Sequence, residues 1–295
     1  MTFIQGPARV TVPATCANLG PGFDSLGMAL ELRDELEAAV TDSVLHIDVV
    51  GEGAGDVPRD ETHLVVRAMR AAFAVLGEQP GGLLLSCRNR IPHARGLGSS
   101  SAAIVGGICL ARALMVRGSD LLPEVPLGLA AELEGHPDNV APALLGGLTV
   151  SGHDGTGFFA VRVPVSPSLR AVALVPPTPM STETARALLP DSVPHADAAA
   201  NSGRAALLVA AMAGQTDLLL TATVDRLHQD YRRPAMPASL DLVDRLRSDG
   251  FAAVVSGAGP TVVVLATGDP DLSAYLPEGW THLALDVATD GVRLG

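Results

Sequence analysis

Between Leu30 and Val40 the chain alternates, with Leu30, Leu32, Leu36, Ala38 and Val40 on one side and Glu31, Arg33, Glu35 and Glu37 on the other. A period of two with charges on one side predicts a strand buried on one face and wet on the other. After Thr41-Asp42-Ser43 the alternation resumes at Leu45, Ile47 and Val49, which predicts a returning second strand. Upstream, Arg9-Val10-Thr11-Val12 predicts a first strand ended by Pro13. The period changes after Thr62. Leu64, Val65, Ala68, Met69, Ala72, Phe73 and Leu76 recur at helical spacing, with Thr62 as cap and Gly77 as stop. Leu83 to Cys87 is short and apolar, as a buried strand is, whereas Ala102 to Val116 is apolar on every side and predicts a helix inside the core.

The remaining pattern gives a short helix at 127–133, a hairpin of Leu148-Thr149-Val150 with 158–163, a strand at 170–175 and a short helix starting at Ser181. Further helices are predicted at 196–213 and at 239–247, the latter closed by Gly250, and two buried strands at 251–255 and 261–265 flank a glycine turn. The Pro- and Ser-containing stretch from Val163 to Leu169 predicts a boundary between domains 1–165 and 166–295.

Composition narrows the function classes. The chain has 295 residues, 47% of them hydrophobic, and a net charge of -12. That charge, with scattered arginines, excludes nucleic acid as a partner. No apolar run approaches the roughly 20 residues of a membrane span and no signal-peptide pattern opens the chain, so a cytoplasmic protein with no membrane partner is expected. Cys16, Cys87 and Cys109 are widely spaced without metal-ligand pairing and read as free thiols. All 20 of the Lys plus Arg residues are Arg. A Walker-type loop and a lysine Schiff base are therefore both ruled out.

The candidate chemistry centres on the stretch between the Leu83 strand and the buried helix, which contains Gly96, Gly98 and three serines, Ser99, Ser100 and Ser101. Glycines let backbone amides approach a ligand, and the N–H groups and dipole of the helix start favour an anion. The same residues could also make a tight capped turn. A second stretch, Ala14 to Gly27, is dense in Gly and Pro and carries Asn18 and Asp24; an ordinary turn is the alternative. A third, Glu132 to Gly147, sets carboxylates, His136 and Asn139 between apolar flanks, although His136 alone would suit a structural hydrogen bond. Arg232 and Arg233 read as solvated charge unless a pocket uses them.

Three separated motifs match one family. Pro92 to Ser100 resembles the phosphate loop of the GHMP small-molecule kinases, and Ser256-Gly257-Ala258-Gly259-Pro260-Thr261 resembles their carboxy-terminal glycine motif. Glu134 to Pro142, with Asn18 to Asp24 upstream, resembles the branch that phosphorylates the side-chain hydroxyl of L-homoserine. The resemblance implies an α+β, two-domain GHMP kinase fold with a ferredoxin-like C-terminal domain, ATP and Mg2+ as cofactors, and a homodimer. It also implies that Pro92, His93, Ala94, Arg95, Gly96, Leu97, Gly98, Ser99, Ser100 and Ser101 form the ATP loop, with His63 beside the adenine, where the family often has Asn. Ser100 and Glu132 would hold the metal, Glu134 being the alternative ligand. Asp24 would take the substrate ammonium, Arg186 and Arg232 its carboxylate, and Asn18, His136 and Asn139 would line the amino-acid site. Asn18, Asn139, Ser100 and Glu132 would serve catalysis. Ala94 replaces the first glycine of the motif, which is tolerated if its φ is negative. Asn139 stands where some relatives place an Asp base, so in-line transfer without a strong protein base is expected, with His136 as rival base. Other readings are a GHMP kinase for an uncharged or anionic acceptor, or a sensor that binds ATP and a metabolite without turnover.

Overall fold

The computed structural model describes residues 2–116 and 124–295. Its first sheet contains β1 (Ala8–Ala17), β2 (Leu26–Thr41), β3 (Leu45–Gly51), β4 (Gly82–Asn89), β5 (Leu148–His153) and β6 (Phe158–Val163). Four helices cover one face: α1 (Leu64–Leu76), α2 (Ser99–Leu114), α3 (Glu124–Glu134) and α4 (Pro137–Leu145). The alternation in β2 works as expected, since its apolar side packs on the core and its charged side forms ion pairs, Glu35 with Arg90 at the surface and Glu31 with Arg33, which the carbonyls of Asp290 and Gly291 also hold. Helix α2 is buried on nearly all sides, its Gly106 and Gly107 letting β1, β2 and α1 come close.

Two strand expectations are corrected. Pro13 does not end β1; the register shifts between Pro13 and Ala14, and this bulge accommodates a residue that cannot donate to the ladder. Nor does β3 return beside β2. It pairs in parallel with β4, which lies between them, so the strands run in the order β1-β2-β4-β3, with β5 on the other part of β2 and β6 on β5. Helix α1 ends at Gly77 in the left-handed region as expected, but His63 rather than Thr62 is its N-cap.

The second sheet contains β7 (Leu169–Val175), β8 (Ala252–Val255), β9 (Val262–Thr267) and β10 (Thr281–Asp286), antiparallel throughout in the order β10-β7-β9-β8. That is the ferredoxin-like order. Between β7 and β8 run α5 (Thr182–Ala187), α6 (His195–Ala213), α7 (Leu219–Ala222) and α8 (Pro237–Ser248), while the second crossover shrinks to a 3-10 turn at 273–275. After β10 the chain returns to the first sheet, where β11 (Arg293–Leu294) pairs with β1. Among the described residues no helix is long and apolar enough to cross a membrane.

Asp34 ties β2 to the stretch that follows β4. Its Oδ1 accepts the N–H of Arg90 at 2.6 Å and of Ile91 at 2.9 Å, just before the glycine loop. Burial pushes the carboxyl up to about 6 from 3.8, against the two N–H donors that favour its charge. Because the folded value is raised, its stabilising contribution is complete below pH 3.8 and is lost as pH climbs towards about 6. Asp34→Asn keeps an acceptor for both N–H groups and has no charge to bury. It should be more stable than wild type at pH 7.5 by on the order of 1–3 kcal/mol, with the difference vanishing near pH 4. Urea unfolding at the two pH values checks this; a variant weaker at pH 7.5 contradicts it.

Candidate active site

The glycine loop after β4 delivers the start of α2 into a cleft between the two sheets. Gly98, at φ 72°, caps the helix, and a Cβ there would sit 1.9 Å from Thr15 Oγ1. Gly96, at φ 76°, lies so near the second sheet's glycine turn that a Cβ would meet Ser256 O at 2.3 Å. Only glycine fits either position, and the first-turn N–H groups of Ser99, Ser100 and Ser101 are thereby aimed at the cleft. Ala94 has φ 52°, not the negative value expected of it; its carbonyl accepts the N–H of Met180 at 2.9 Å, which helps hold it there. Pro92 and Arg95 lie behind the loop rather than in the cleft. The Arg95 guanidinium bonds the carbonyls of His93, Pro176 and Pro177, so it braces the loop against the end of β7. Leu97 contributes backbone only, its side chain being buried in the core.

Ser100 Oγ donates to Glu134 Oε1 at 2.6 Å and Ser101 Oγ to the same oxygen at 2.9 Å. Glu132, expected at this position, is exposed and does not line the cleft. The reason is helical phase: two residues along α3 rotate a side chain by roughly 200°, so only one of the pair can face the serines. The hydroxyl and carboxylate oxygens of Ser100 and Glu134 are hard donors, a set that suits Mg2+, which commonly takes one or two carboxylates and completes its shell with phosphate and water.

The Asn18 to Asp24 loop faces this cradle. Its backbone takes left-handed conformations at Asn18, Leu19, Gly20 and Asp24. Asn18 builds the loop, donating Nδ2–H to Gly257 O at 2.8 Å while its Oδ1 accepts the Asp24 N–H at 3.0 Å. Asp24 pairs with Arg186 through both carboxylate oxygens, at 2.6 and 3.1 Å. This partnership raises the Arg186 pKa above its ordinary value, against burial. Arg232 is 1% exposed, so the reading of it as solvated charge is corrected; its Nη1 donates to Gly257 O, and its Nε has no partner among the described residues. Burial and the neighbouring Arg186 push its pKa down to about 10, which leaves it charged at neutral pH.

On the third side stands the start of α4, where Pro137 at the first turn and His136 as N-cap set the residues. His136 Nδ1 lies 2.5 Å from Asp138 Oδ1. Burial opposes its charge, but the hydrogen bond and the charges of Asp138 and Glu134 outweigh it, so the imidazole pKa is raised. Asn139 Oδ1 accepts from Thr15 Oγ1 at 2.8 Å, which leaves the amide N–H groups for the cleft that Asn139 lines. Thr15, Asp138 and the turn 256–259 are parts of the site that pattern reading did not assign, the last despite its glycine motif. Beside the cradle lies an apolar cavity of about 320 Å³ lined by His63, His93, Asp34 and Cys87. His63 is buried there with its Nδ1 unpartnered, and burial lowers its pKa.

Residues 63–147 match the GHMP kinases N terminal domain and residues 198–275 the GHMP kinases C terminal. The chain belongs to the GHMP kinase family and is a kinase. Homoserine kinase of Streptomyces coelicolor is 59% identical over 268 residues, 90% of this chain and 87% of that protein. Homoserine kinase of Clavibacter michiganensis subsp. michiganensis is 51% identical over 292 residues, covering 96% and 92%. The crystal structure of homoserine kinase from Cytophaga hutchinsonii superposes with a TM-score of 0.86 at 26% identity over the whole of both chains. Within the family, its place is with the homoserine kinases.

The exchange of Glu132 for Glu134 is directly testable. Glu134→Gln should raise the Mg2+ concentration for half-maximal activity by about tenfold or more, equivalent to about 1.4 kcal/mol, whereas Glu132→Gln should titrate like wild type. Metal titrations of both variants at fixed ATP decide the matter, and the reverse ranking would restore Glu132.

Proposed function

We propose that this cleft transfers the γ-phosphoryl group of ATP to the side-chain hydroxyl of L-homoserine, with Mg2+ as cofactor, in a homodimer of the cytoplasm. The observation that carries the reading is two guanidiniums, Arg186 and Arg232, lining one cleft with a phosphate cradle, and the carboxylate of Asp24 paired with Arg186. An α-amino acid presents an ammonium and a carboxylate at fixed separation. Asp24 and Arg186 meet each other here, so an amino acid would exchange that pairing for its own ammonium and carboxylate, whereas a neutral sugar would bring no anion to the buried Arg232.

The amides of the α2 start and the loop at Gly96 to Ser100 would receive the ATP phosphates, with the base in the cavity beside His63. Ser100 and Glu134 would hold Mg2+, which when bound neutralises charge developing on the phosphoryl oxygens. Asp24 would bind the ammonium, and Arg186 and Arg232 the carboxylate as forked donors. Asn139, with its oxygen taken by Thr15, can donate to the substrate hydroxyl oxygen and orient it but cannot accept its proton. His136 is held towards its charged form by Asp138 and is therefore poorly suited to be the base. Alignment and charge neutralisation carry the reaction, the hydroxyl proton passing to an oxygen of the transferred phosphoryl group as the new O–P bond forms and ADP leaves, as a loose phosphoryl-transfer transition state allows.

The test uses the two charged ends. Asp24→Asn should raise KM for homoserine by at least about thirtyfold, equivalent to about 2 kcal/mol, with KM for ATP nearly unchanged. Arg186→Lys, which keeps charge but not the fork, should act on the same parameter. Steady-state kinetics with each substrate varied in turn measures both, and equal effects on the two substrates would remove Asp24 and Arg186 from the amino-acid site.

A further inference from the structure

His228 is not used by the mechanism above, yet it is almost completely buried and both of its ring nitrogens are engaged. Nε2 lies 2.8 Å from the carbonyl oxygen of Gly20, inside the loop that carries Asn18 and Asp24. Nδ1 lies 3.0 Å from Nη1 of Arg232. The ring stacks on Phe23 with centroids 5.1 Å apart, and both Arg186 and Arg232 sit 5.6 Å from the centroid of that same Phe23 ring.

These contacts fix the proton. A guanidinium has only donors, so the nitrogen that faces Arg232 must be a bare acceptor. A carbonyl has only acceptors, so the nitrogen that faces Gly20 must carry hydrogen. One neutral tautomer, with hydrogen on Nε2, satisfies both. The charged groups around the ring are Asp225, whose carboxylate is 3.7 Å from Nε2, then Arg232, and Asp24 further off. Burial leads in holding the imidazole below its ordinary pKa and Arg232 adds to it, against the two carboxylates. The same carboxylate of Asp225 accepts the backbone N–H of His228 and Gln229, which fixes where the ring starts.

We propose that His228 is a positioning residue: a neutral imidazole that ties the Gly20 carbonyl to Arg232 and so sets the spacing between the ammonium-binding loop and the carboxylate-binding guanidinium. The inference rests on the reading that Arg232 meets the substrate carboxylate. Among the described residues Arg232 is otherwise anchored at Nη1 only by Gly257 O, and its Nε has no partner. Without the imidazole acceptor the guanidinium keeps one fixed contact and can rotate about it. Phe23 provides the flat surface beneath, with its ring shared by the imidazole and both guanidiniums.

Two substitutions separate the halves of the contact, because an asparagine amide falls near the Nδ1 position of histidine and a glutamine amide near Nε2. His228→Gln keeps a donor for Gly20 and removes the acceptor for Arg232. It should raise KM for homoserine by about tenfold, with KM for ATP changed by less than about twofold. His228→Asn keeps the acceptor and should recover most of the homoserine affinity. A wild-type homoserine KM in His228→Gln, or KM values for both substrates rising together, overturns the proposal. If both variants fail to fold, nitrogen NMR of the wild-type protein decides. Hydrogen on Nε2 and a bare Nδ1 at neutral pH are expected, and hydrogen on Nδ1 contradicts the arrangement. Arg232→Lys keeps the two ideas apart: an unchanged homoserine KM there overturns the substrate reading itself, whereas a raised one beside an unaffected His228→Gln overturns only the role of His228.

Discussion

The carbonyl of Gly257 is the point on which the rest of the site depends. It accepts Nδ2–H of Asn18 at 2.8 Å and Nη1–H of Arg232 at 3.0 Å, while the Gly257 N–H donates to Ala17 O at 3.0 Å. One residue of the second sheet's glycine turn thus holds the amino-acid loop and a buried guanidinium together. The residue before it, Ser256, donates its hydroxyl to Gly96 O at 2.6 Å and so fixes the phosphate loop as well. Both loops hang from this turn, so the distance between phosphate cradle and amino-acid charges is a property of how the two sheets meet. A buried carbonyl with two donors, one of them charged, is a costly group to displace.

The electrostatics follow from the same closeness. The chain is acidic overall and has no lysine, yet two arginines are brought to one aromatic ring within reach of Asp24. Two like charges so placed repel, which is one reason the pKa of Arg232 falls. Asp24 and the carbonyl of Gly257 offset the repulsion, and a carboxylate ligand would do so further. On the proposed reading an amino acid would bring its carboxylate to the guanidiniums and its ammonium to Asp24, in place of the pair that Asp24 and Arg186 form.

Much of this was legible in the sequence where local pattern decides the outcome. The two-residue alternation of β2, the left-handed stop at Gly77, the helix cap at Ser181 and the glycine loop before α2 all depend on near neighbours, and each stands where the pattern put it. What pattern could not show depends on partners far along the chain. Pro13 sits inside a strand because β2 supplies the opposite side of a bulge, and β3 pairs with β4 across a helix. Helix α4 was hidden by Pro142 within it and by the glycines that follow. Glu132 and Glu134 differ only in helical phase, which an eleven-residue element of weak amphipathicity leaves open. Arg232 beside Arg233 read as a solvated pair, yet one is buried and the other meets Asp241 and Asp244 on the surface.

The central claim is that both charges of the acceptor are read. Turnover of L-homoserine should be compared with that of 4-hydroxybutyrate, which lacks the ammonium, and 3-amino-1-propanol, which lacks the carboxylate, each with the same primary hydroxyl. A site built to pair with a group rejects the analogue that lacks it by a factor of about ten thousand, so kcat/KM should fall by at least about a thousandfold for each analogue. Phosphorylation of either analogue at a rate comparable to L-homoserine would contradict the account.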